Sequence, residues 1–214
     1  DESYLKSRAR LIRMNKAQDF GPGLPRQGGT IYLTAADENG MMVSFIQSNY
    51  LGFGSGCVEP GFGISLQNRG HGFSLQGDSP NAVAPGKRPF HTIIPAFLSQ
   101  DGRPVMSFGV MGAHMQPQGH VQTLVRMLDH GQNPQAACDA PRWRATPDGT
   151  LNVEASADPT IVQGLKDRGH RIEALADSYQ DFGAGQFIWR LGDPGSAGYV
   201  GASDARRDGL VAGW

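Results

Sequence analysis

The sequence predicts a domain that mixes helices and strands, of the α+β or layered α/β class, rather than a helical bundle. Strand-like runs occur in groups, with helix-like segments between and after them. Hydrophobic residues make up 39% of the chain and charged residues 18%, a balance typical of globular proteins. With 214 residues, the chain is long enough to bury one large hydrophobic core.

The first half of the chain predicts a helix, a linker and a hairpin. Apolar residues among basic ones favour a helix over 4–19. Residues 20–29 cannot continue that helix, because they include two prolines and four glycines. The hydrophobic period then changes to two, and the strand-like runs 31–37 and 41–48 flank the turn signal Asn39-Gly40.

The remaining elements follow from local composition and spacing. Residues 50–63 and 74–89 are predicted loops, since glycine, proline and polar residues dominate them. Helical spacing, caps and closing glycines predict helices at 119–131, 133–141 (capped by Asn133, with Pro134 in its first turn) and 158–169. Apolar, β-rich runs predict strands at 64–68, 104–110, 171–175, 185–191 and 199–203.

Charge and hydropathy exclude several classes of partner. The formal net charge of −1 offers no attraction to nucleic acid or to an anionic membrane. The basic residues of the first helix are flanked by acidic ones and are not accompanied by an aromatic platform, so they indicate a solvated face. No apolar run reaches membrane-spanning length. The first residues do not resemble a signal peptide, and the compartment stays open between bacterial cytoplasm and periplasm.

Cysteines and histidines give no sign of a metal or cofactor. Cys57 and Cys138 lie far apart and lack CxxC or Cys/His zinc spacing, so both are interpreted as ordinary thiols. The six histidines show neither HxxxH nor HxH spacing. We therefore expect no metal site.

Two interpretations are open for Thr30, which follows Gly28-Gly29 and begins a strand-like run. It is either an ordinary β-branched strand residue or a nucleophile released by self-cleavage of the Gly29–Thr30 bond. In the second case the Thr30 hydroxyl attacks the preceding carbonyl, and the freed α-amine then serves as the base for that hydroxyl. A glycine before the bond tolerates the strained backbone that such an attack needs.

Several stretches in one order resemble the γ-glutamyltranspeptidase family, in its small-subunit region. They are GGTIYLTAADENG, GFGSG, PGKRPFHTIIP, GVMGAHMQPQGHVQ, DAPRWR and GASDARRDG, and they span most of the chain. The resemblance implies an N-terminal-nucleophile hydrolase fold, a four-layer αββα sandwich of two stacked, mainly antiparallel sheets. It also implies that residues 1–29 are the tail of a large subunit and that 30–214 form the small catalytic domain. A large subunit or a homo-oligomer is then expected to cover exposed sheet edges.

Catalytic residues transfer from the family position by position. The resemblance implies Thr30 as nucleophile, Ser48 as the assisting hydroxyl, and the backbone N–H groups of Gly112 and Ala113 as the oxyanion hole. Ala113 stands where the family has a second glycine, so a positive φ there would cost about 1 kcal/mol. Asn49 and Tyr50 fall beside the expected substrate site.

The family's clamp for the glutamyl head is absent. Arg69 and Gly72 occupy the positions of an acidic residue and its neighbour, and His91-Thr92 replaces a Ser-Ser pair. Arg69 can attract a carboxylate, and His114 is either a substrate contact or an ordinary packed or exposed histidine. This pattern resembles the family's divergent branch of cephalosporin-acylase-like proteins and small-amide hydrolases.

The resemblance therefore implies an amidohydrolase or transferase that acts on a small-molecule amide and needs no metal or organic cofactor, with hydrolysis of a non-classical amide favoured over γ-glutamyl transfer. The alternative is a catalytically silent, unprocessed module for binding or structure on the same fold.

Overall fold

The computed structural model of the protein describes residues 2–11, 30–176 and 182–213. The helices of this part are α1 Glu2–Ala9, α2 Met115–Leu128, α3 Pro134–Asp139 and α4 Pro159–Asp167. The strands are β1 Thr30–Ala36, β2 Met42–Ser48, β3 Val58–Glu59, β4 Ile64–Ser65, β5 Ala96–Gln100, β6 Arg103–Met111, β7 Trp143–Ala145, β8 Thr150–Glu154, β9 Arg171–Leu175, β10 Ala184–Arg190 and β11 Tyr199–Ser203. The first helix ends well before Asp19, and the predicted linker lies outside the described residues.

The predicted hairpin is confirmed. Strands β1 and β2 pair antiparallel, with Thr30 opposite Ser48 at the open end. The Asp37 carboxylate closes the turn by accepting hydrogen bonds from the N–H groups of Asn39 and Met41, both at 2.9 Å. Local turn chemistry thus sets the register, and the register brings two hydroxyl side chains together at the far end.

An antiparallel sheet in the order β11-β10-β6-β5 forms the centre of the molecule. Successive side chains of a strand point to opposite faces. On β6, Met106, Phe108 and Val110 join the buried core cluster, to which α2 and α3 also contribute. Ser107 and Gly109 face the other way, toward β1 of the hairpin. The described chain therefore has the helix–sheet–sheet order of an αββα sandwich, which confirms the predicted fold class.

A second, smaller sheet combines β7, β8 and β9. Strands β7 and β8 are antiparallel, whereas β8 and β9 are parallel and are connected through α4. Asp158 caps α4 by accepting a hydrogen bond from Thr160 N–H at 2.8 Å. Parallel neighbours cannot be joined by a tight turn, and α4 provides the longer crossover that β8 and β9 need.

Some local expectations were wrong. The predicted loop 50–63 contains the two-residue strand β3, and the sequence also did not predict β5, β7 and β8, which are short and partly polar. Helix α2 begins at Met115, four residues before the predicted start, because Pro117 lies in its first turn, where backbone N–H groups need no helical partner. Within the described residues, no helix is long and apolar enough to cross a membrane.

Candidate active site

The first described contact at the predicted site joins two hydroxyl groups across the hairpin. Thr30 Oγ1 donates a hydrogen bond to Ser48 Oγ at 2.8 Å. Ser48 Oγ also accepts from Tyr50 N–H at 2.9 Å, so two donors hold the serine oxygen in place. The Thr30 oxygen gives its own proton to this bond and keeps its lone pairs available to an electrophile.

Tyr50 adopts an uncommon backbone conformation directly after β2. Its φ is 77°, in the left-handed region that bulky residues rarely occupy. The guanidinium of Arg69 lies 5.4 Å from the centre of the Tyr50 ring, a distance at which the ring face attracts a cation. The structure thus brings together two predicted substrate residues that are 19 positions apart.

Asn68, which was not among the residues predicted for the site, fixes the segment around Tyr50 relative to Arg69. Its backbone N–H donates to Asn49 O at 3.1 Å. Its side chain accepts from Leu51 N–H at 3.0 Å and donates to Gly54 O at 3.0 Å. The glycine-rich loop is therefore fastened to the turn that presents Arg69.

The predicted oxyanion turn follows β6. Gly112 has φ 133° and Ala113 has φ 51°. A side chain at Gly112 would meet Gly183 Cα at 2.8 Å, so only glycine fits there. Ala113 does occupy the left-handed conformation whose cost is about 1 kcal/mol for a residue with a Cβ.

Hydrogen bonds within this turn use its carbonyl groups. Gly112 O accepts from Met115 N–H at 2.9 Å, and Ala113 O accepts from the Thr92 hydroxyl at 2.8 Å. Among the described residues, no group accepts a hydrogen bond from the N–H of Gly112 or Ala113. Two neighbouring donors thus remain available to an anion, which is the requirement for an oxyanion hole.

Contacts between the hairpin and β6 bring Thr30 to the same end of the sandwich. The Thr34 and Ser107 hydroxyls are hydrogen-bonded, and Tyr32 packs against Gly109, where an added Cβ would lie 2.8 Å from the ring. Strand β1 therefore runs against the direction of β6. Two residues beyond the contact of Tyr32 with Gly109, Thr30 begins β1 and Met111 ends β6, directly before Gly112.

Three other predicted site residues lie beside the turn, with different degrees of contact. Thr92 contacts it directly through Ala113 O. His91 precedes Thr92 and His114 follows Ala113, and both side chains are exposed. Gly29 lies outside the described residues, so the predicted cleavage bond does too. Thr30 is half-buried and Ala113 exposed, which makes the site an open one in this chain.

Two cavities of the described structure lie away from the predicted site. One of about 210 Å³ separates the hairpin from β10 and β11, and another, of about 770 Å³, adjoins the hairpin turn. Neither is lined by the predicted site residues. The hydroxyl pair and the free N–H groups are the better guide to chemistry, because cavity size alone does not provide reactive groups. No group of three or more potential metal ligands occurs within the described ranges.

Two of the family-like stretches form a buried charge network instead of a reactive site. Arg142 and Asp204 are almost fully buried and form an ion pair of 2.7 Å. Arg206 bridges Asp204 at 3.0 Å and Glu154 at 2.5 Å. Burial by itself raises the pKa of Asp204, but Arg142 and Arg206 outweigh burial and leave that pKa lowered.

The same network surrounds the Cys138 thiol. Burial and the neighbouring Asp204 raise the pKa of Cys138 well above its usual range, so the thiol stays protonated. The Cys138 carbonyl accepts from both Arg142 and Arg206. Cys57, by contrast, is exposed. These contacts give DAPRWR and GASDARRDG a structural role that their spacing did not indicate.

A comparison with known protein families decides the identity. The Gamma-glutamyltranspeptidase family model matches residues 1–214, the whole chain. The chain belongs to this family. The predicted family is thereby confirmed.

Relatives within the γ-glutamyltranspeptidase family include hydrolases whose names give different substrates. Oxamate amidohydrolase proenzyme of Klebsiella pneumoniae is 39% identical over 193 residues, which cover 87% of this chain and 36% of the relative. Glutathione hydrolase-like YwrD proenzyme of Bacillus subtilis is 37% identical over 195 residues, which cover 88% of this chain and 36% of the relative. The chain thus spans about a third of the length of these curated relatives.

Solved structures of the family agree with the fold. Cephalosporin acylase from Bacillus halodurans superposes with a TM-score of 0.80 at 50% identity, covering 89% of this chain and 36% of that one. The γ-glutamyltranspeptidase from Pseudomonas nitroreducens complexed with L-DON superposes with a TM-score of 0.73 at 25% identity, covering 86% of this chain and 98% of that one.

Proposed function

We propose that this chain contains the catalytic domain of an N-terminal-threonine amidohydrolase, with Thr30 as the nucleophile after cleavage of the Gly29–Thr30 bond. The observation that carries the proposal is the 2.8 Å hydrogen bond from Thr30 Oγ1 to Ser48 Oγ, at the end of β1 that faces the Gly112-Ala113 turn. Family membership supports it, because several relatives bear the name proenzyme.

Self-cleavage would proceed in two steps. The Thr30 oxygen attacks the Gly29 carbonyl carbon, and the acyl group moves from the Thr30 nitrogen to its oxygen, forming an ester. Water then hydrolyses the ester, which leaves a carboxylate on Gly29 and a free α-amine on Thr30. Residues 1–29 would thereby end one chain, and 30–214 would form the other.

Amide hydrolysis would use the same oxygen a second time. The free α-amine accepts the hydroxyl proton while the oxygen attacks the substrate carbonyl carbon, and Ser48 orients the hydroxyl. The N–H groups of Gly112 and Ala113 stabilise the oxyanion that develops. Collapse releases the amine, which takes the proton, and water then hydrolyses the acyl-enzyme ester to an acid and free Thr30.

The substrate we favour is an amide with a carboxylate near the scissile bond. Arg69, positioned over the Tyr50 ring, provides a planar cation for that carboxylate. Asn49, His91, Thr92 and His114 would form the remaining walls. The loop 66–72 contains no acidic residue for the α-amine of a γ-glutamyl group. Hydrolysis is therefore favoured over γ-glutamyl transfer.

A partner surface accompanies this proposal. Ile31, Leu33 and Phe45 lie on the hairpin face turned away from the central sheet, and 65%, 46% and 49% of their surfaces are exposed. Contiguous exposed apolar side chains of this kind mark an interface. We propose that a large-subunit region, or a second copy of the chain, covers them.

Intact mass and N-terminal sequencing test the nucleophile. The protein should be expressed together with any coding sequence upstream of this chain. A new N-terminus at Thr30 is expected in the wild type and, more slowly, in Thr30→Ser, but not in Thr30→Ala. Thr160→Ala, an exposed threonine at the start of α4 and away from the hairpin, is the matched control and should be cleaved. An intact Gly29–Thr30 bond in the wild type would overturn the enzymatic proposal and leave a module for binding or structure.

A further inference from the structure

Helix α2 approaches the end of β6 unusually closely. At Gly119 an added Cβ would lie 2.6 Å from Val110 Cγ1, so glycine is required for this approach. The next residue of the helix, His120, points its Nε2 at β6 and accepts a hydrogen bond from Val110 N–H at 2.9 Å. The Phe108 ring packs beside the imidazole, with 5.1 Å between ring centres.

The Val110 N–H needs this acceptor because the neighbouring strand has ended. Pairing between β5 and β6 stops at Ala96 opposite Phe108, two residues before Val110. Val110 is completely buried, and a buried N–H without a partner destabilises the folded protein. His120 thus replaces a strand at this point of the sheet edge.

The contact also spans the oxyanion turn. Val110 lies two residues before Gly112, and His120 lies seven residues after Ala113, so the hydrogen bond joins the two segments that enter and leave the turn. We propose that His120 is a positioning residue, which holds the N–H groups of Gly112 and Ala113 in the geometry that stabilises the oxyanion. This inference rests on the proposed function of that turn.

The role requires a neutral imidazole. An Nε2 that accepts a hydrogen bond has no proton, so the ring proton lies on Nδ1. Phe108 and Val110 of β6 have no charge. The positive charge of Arg142, from the segment between α3 and β7, disfavours a second proton on the imidazole. A further cation on α2 is Arg126. Burial first, and Arg142 second, lower the pKa of His120 to about 4.

Substitutions that differ only in the acceptor test the proposal. Gln places an amide oxygen close to the position of Nε2, whereas Phe keeps the ring and has no acceptor. In the processed enzyme, we expect His120→Phe to lower kcat about 10- to 100-fold, with KM within about threefold of the wild type. His120→Gln should retain most of kcat. His130→Gln, an exposed histidine after α2, is the matched control and should resemble the wild type.

Three results would overturn the inference: an unchanged kcat in His120→Phe, an equal loss in the Gln and Phe variants, or a loss confined to KM. If His120→Phe does not fold, His120→Asn takes its place, because its amide is one methylene shorter than that of Gln and falls short of Val110. Circular dichroism melting identifies folded variants before kinetics are compared.

Hydrogen exchange separates this inference from the proposed function. The Val110 amide should exchange about five- to tenfold faster in His120→Phe than in the wild type, whether or not the protein is active. A wild type without cleavage or hydrolysis would defeat the proposed function alone. Unchanged Val110 exchange in His120→Phe would defeat the positioning contact itself.

Discussion

The hydroxyl oxygens of Thr30 and Ser48 lie 2.8 Å apart across the open end of the hairpin. The register of β1 and β2 creates this pair, because Thr30 and Ser48 are direct cross-strand partners. Neither residue is close to the other in sequence, and the turn at Asn39-Gly40 decides that they meet. Chemistry proposed for Thr30 therefore depends on the hairpin as a unit.

Removal of the Ser48 hydroxyl should slow the proposed reactions without preventing folding. We expect Ser48→Ala to reduce both self-cleavage and amide hydrolysis about 10- to 100-fold, since the Thr30 hydroxyl loses its orienting partner. Ser48→Thr keeps the hydroxyl and should restore most of the rate. Cleavage time courses on denaturing gels measure the first reaction and single-turnover kinetics the second. Wild-type rates in Ser48→Ala would contradict the role.

Substitutions at Gly112 and Ala113 should differ in their effect on activity. Ala113→Gly relieves a left-handed alanine while keeping its N–H, so we expect activity to persist and the melting temperature to stay the same or rise slightly. Gly112→Ala places a Cβ 2.8 Å from Gly183 Cα, and we expect it to lower kcat at least tenfold. Thermal melting and steady-state kinetics on the two variants provide the comparison. Equal effects of the two substitutions on kcat would contradict the different backbone requirements of the two positions.

Substrate charge should decide the effect of Arg69. We expect Arg69→Ala to lower kcat/KM about 10- to 100-fold for an amide with a neighbouring carboxylate, and to leave the neutral analogue almost unchanged. Arg69→Lys should lie between the two, because an ammonium cannot bind a carboxylate through two parallel N–H groups. Parallel assays with the acid and its methyl ester separate the charge effect from the shape effect.

The buried network should contribute strongly to stability. Asp204→Ala leaves Arg142 without its buried partner, for which we expect a loss of about 3–5 kcal/mol in the free energy of unfolding. The ion pair of Arg171 and Asp148 is a useful contrast, because 65% and 67% of the two side chains are exposed. Arg171→Gln should cost less than about 1 kcal/mol. Denaturant titration measures the loss of stability in both variants. Equal losses would contradict the distinction between a buried and an exposed ion pair.

Stability should fall in mild acid through His120. Its pKa in the folded protein is lowered to about 4, from 6.5 when unfolded. The contribution of the neutral His120 imidazole to the free energy of unfolding is therefore fully present above pH 6.5. It decreases as the pH falls toward 4, with a maximum change of about 3 kcal/mol. In His120→Gln this part of the pH dependence should disappear. Denaturant unfolding at several pH values between 4 and 7.5 measures the difference, and parallel curves for the two proteins would rule it out.

Elements with strong local patterns could be predicted from the sequence. The hairpin follows from alternation and its turn. Helix α3 follows from its capping residue Asn133, which does accept a hydrogen bond from the first turn, and α4 follows from the glycine that closes it, Gly169. Strand β8 could not be predicted, because Asn152 and Glu154 are polar and become buried only through distant partners. Periodicity describes which residues are apolar, and it does not describe which polar residues will be paired.

Short motifs in the sequence were enough to establish the family and the fold class and to indicate candidate site residues, since each motif is a local arrangement of residue types. Tertiary structure alone placed Ala113 in the left-handed conformation, set Arg69 over Tyr50 and turned His120 toward the backbone of β6. The same holds for Arg142 and Asp204, whose pairing joins positions 62 residues apart. Such contacts depend on how sheets and helices pack against each other, which is a property of long-range packing rather than of local spacing.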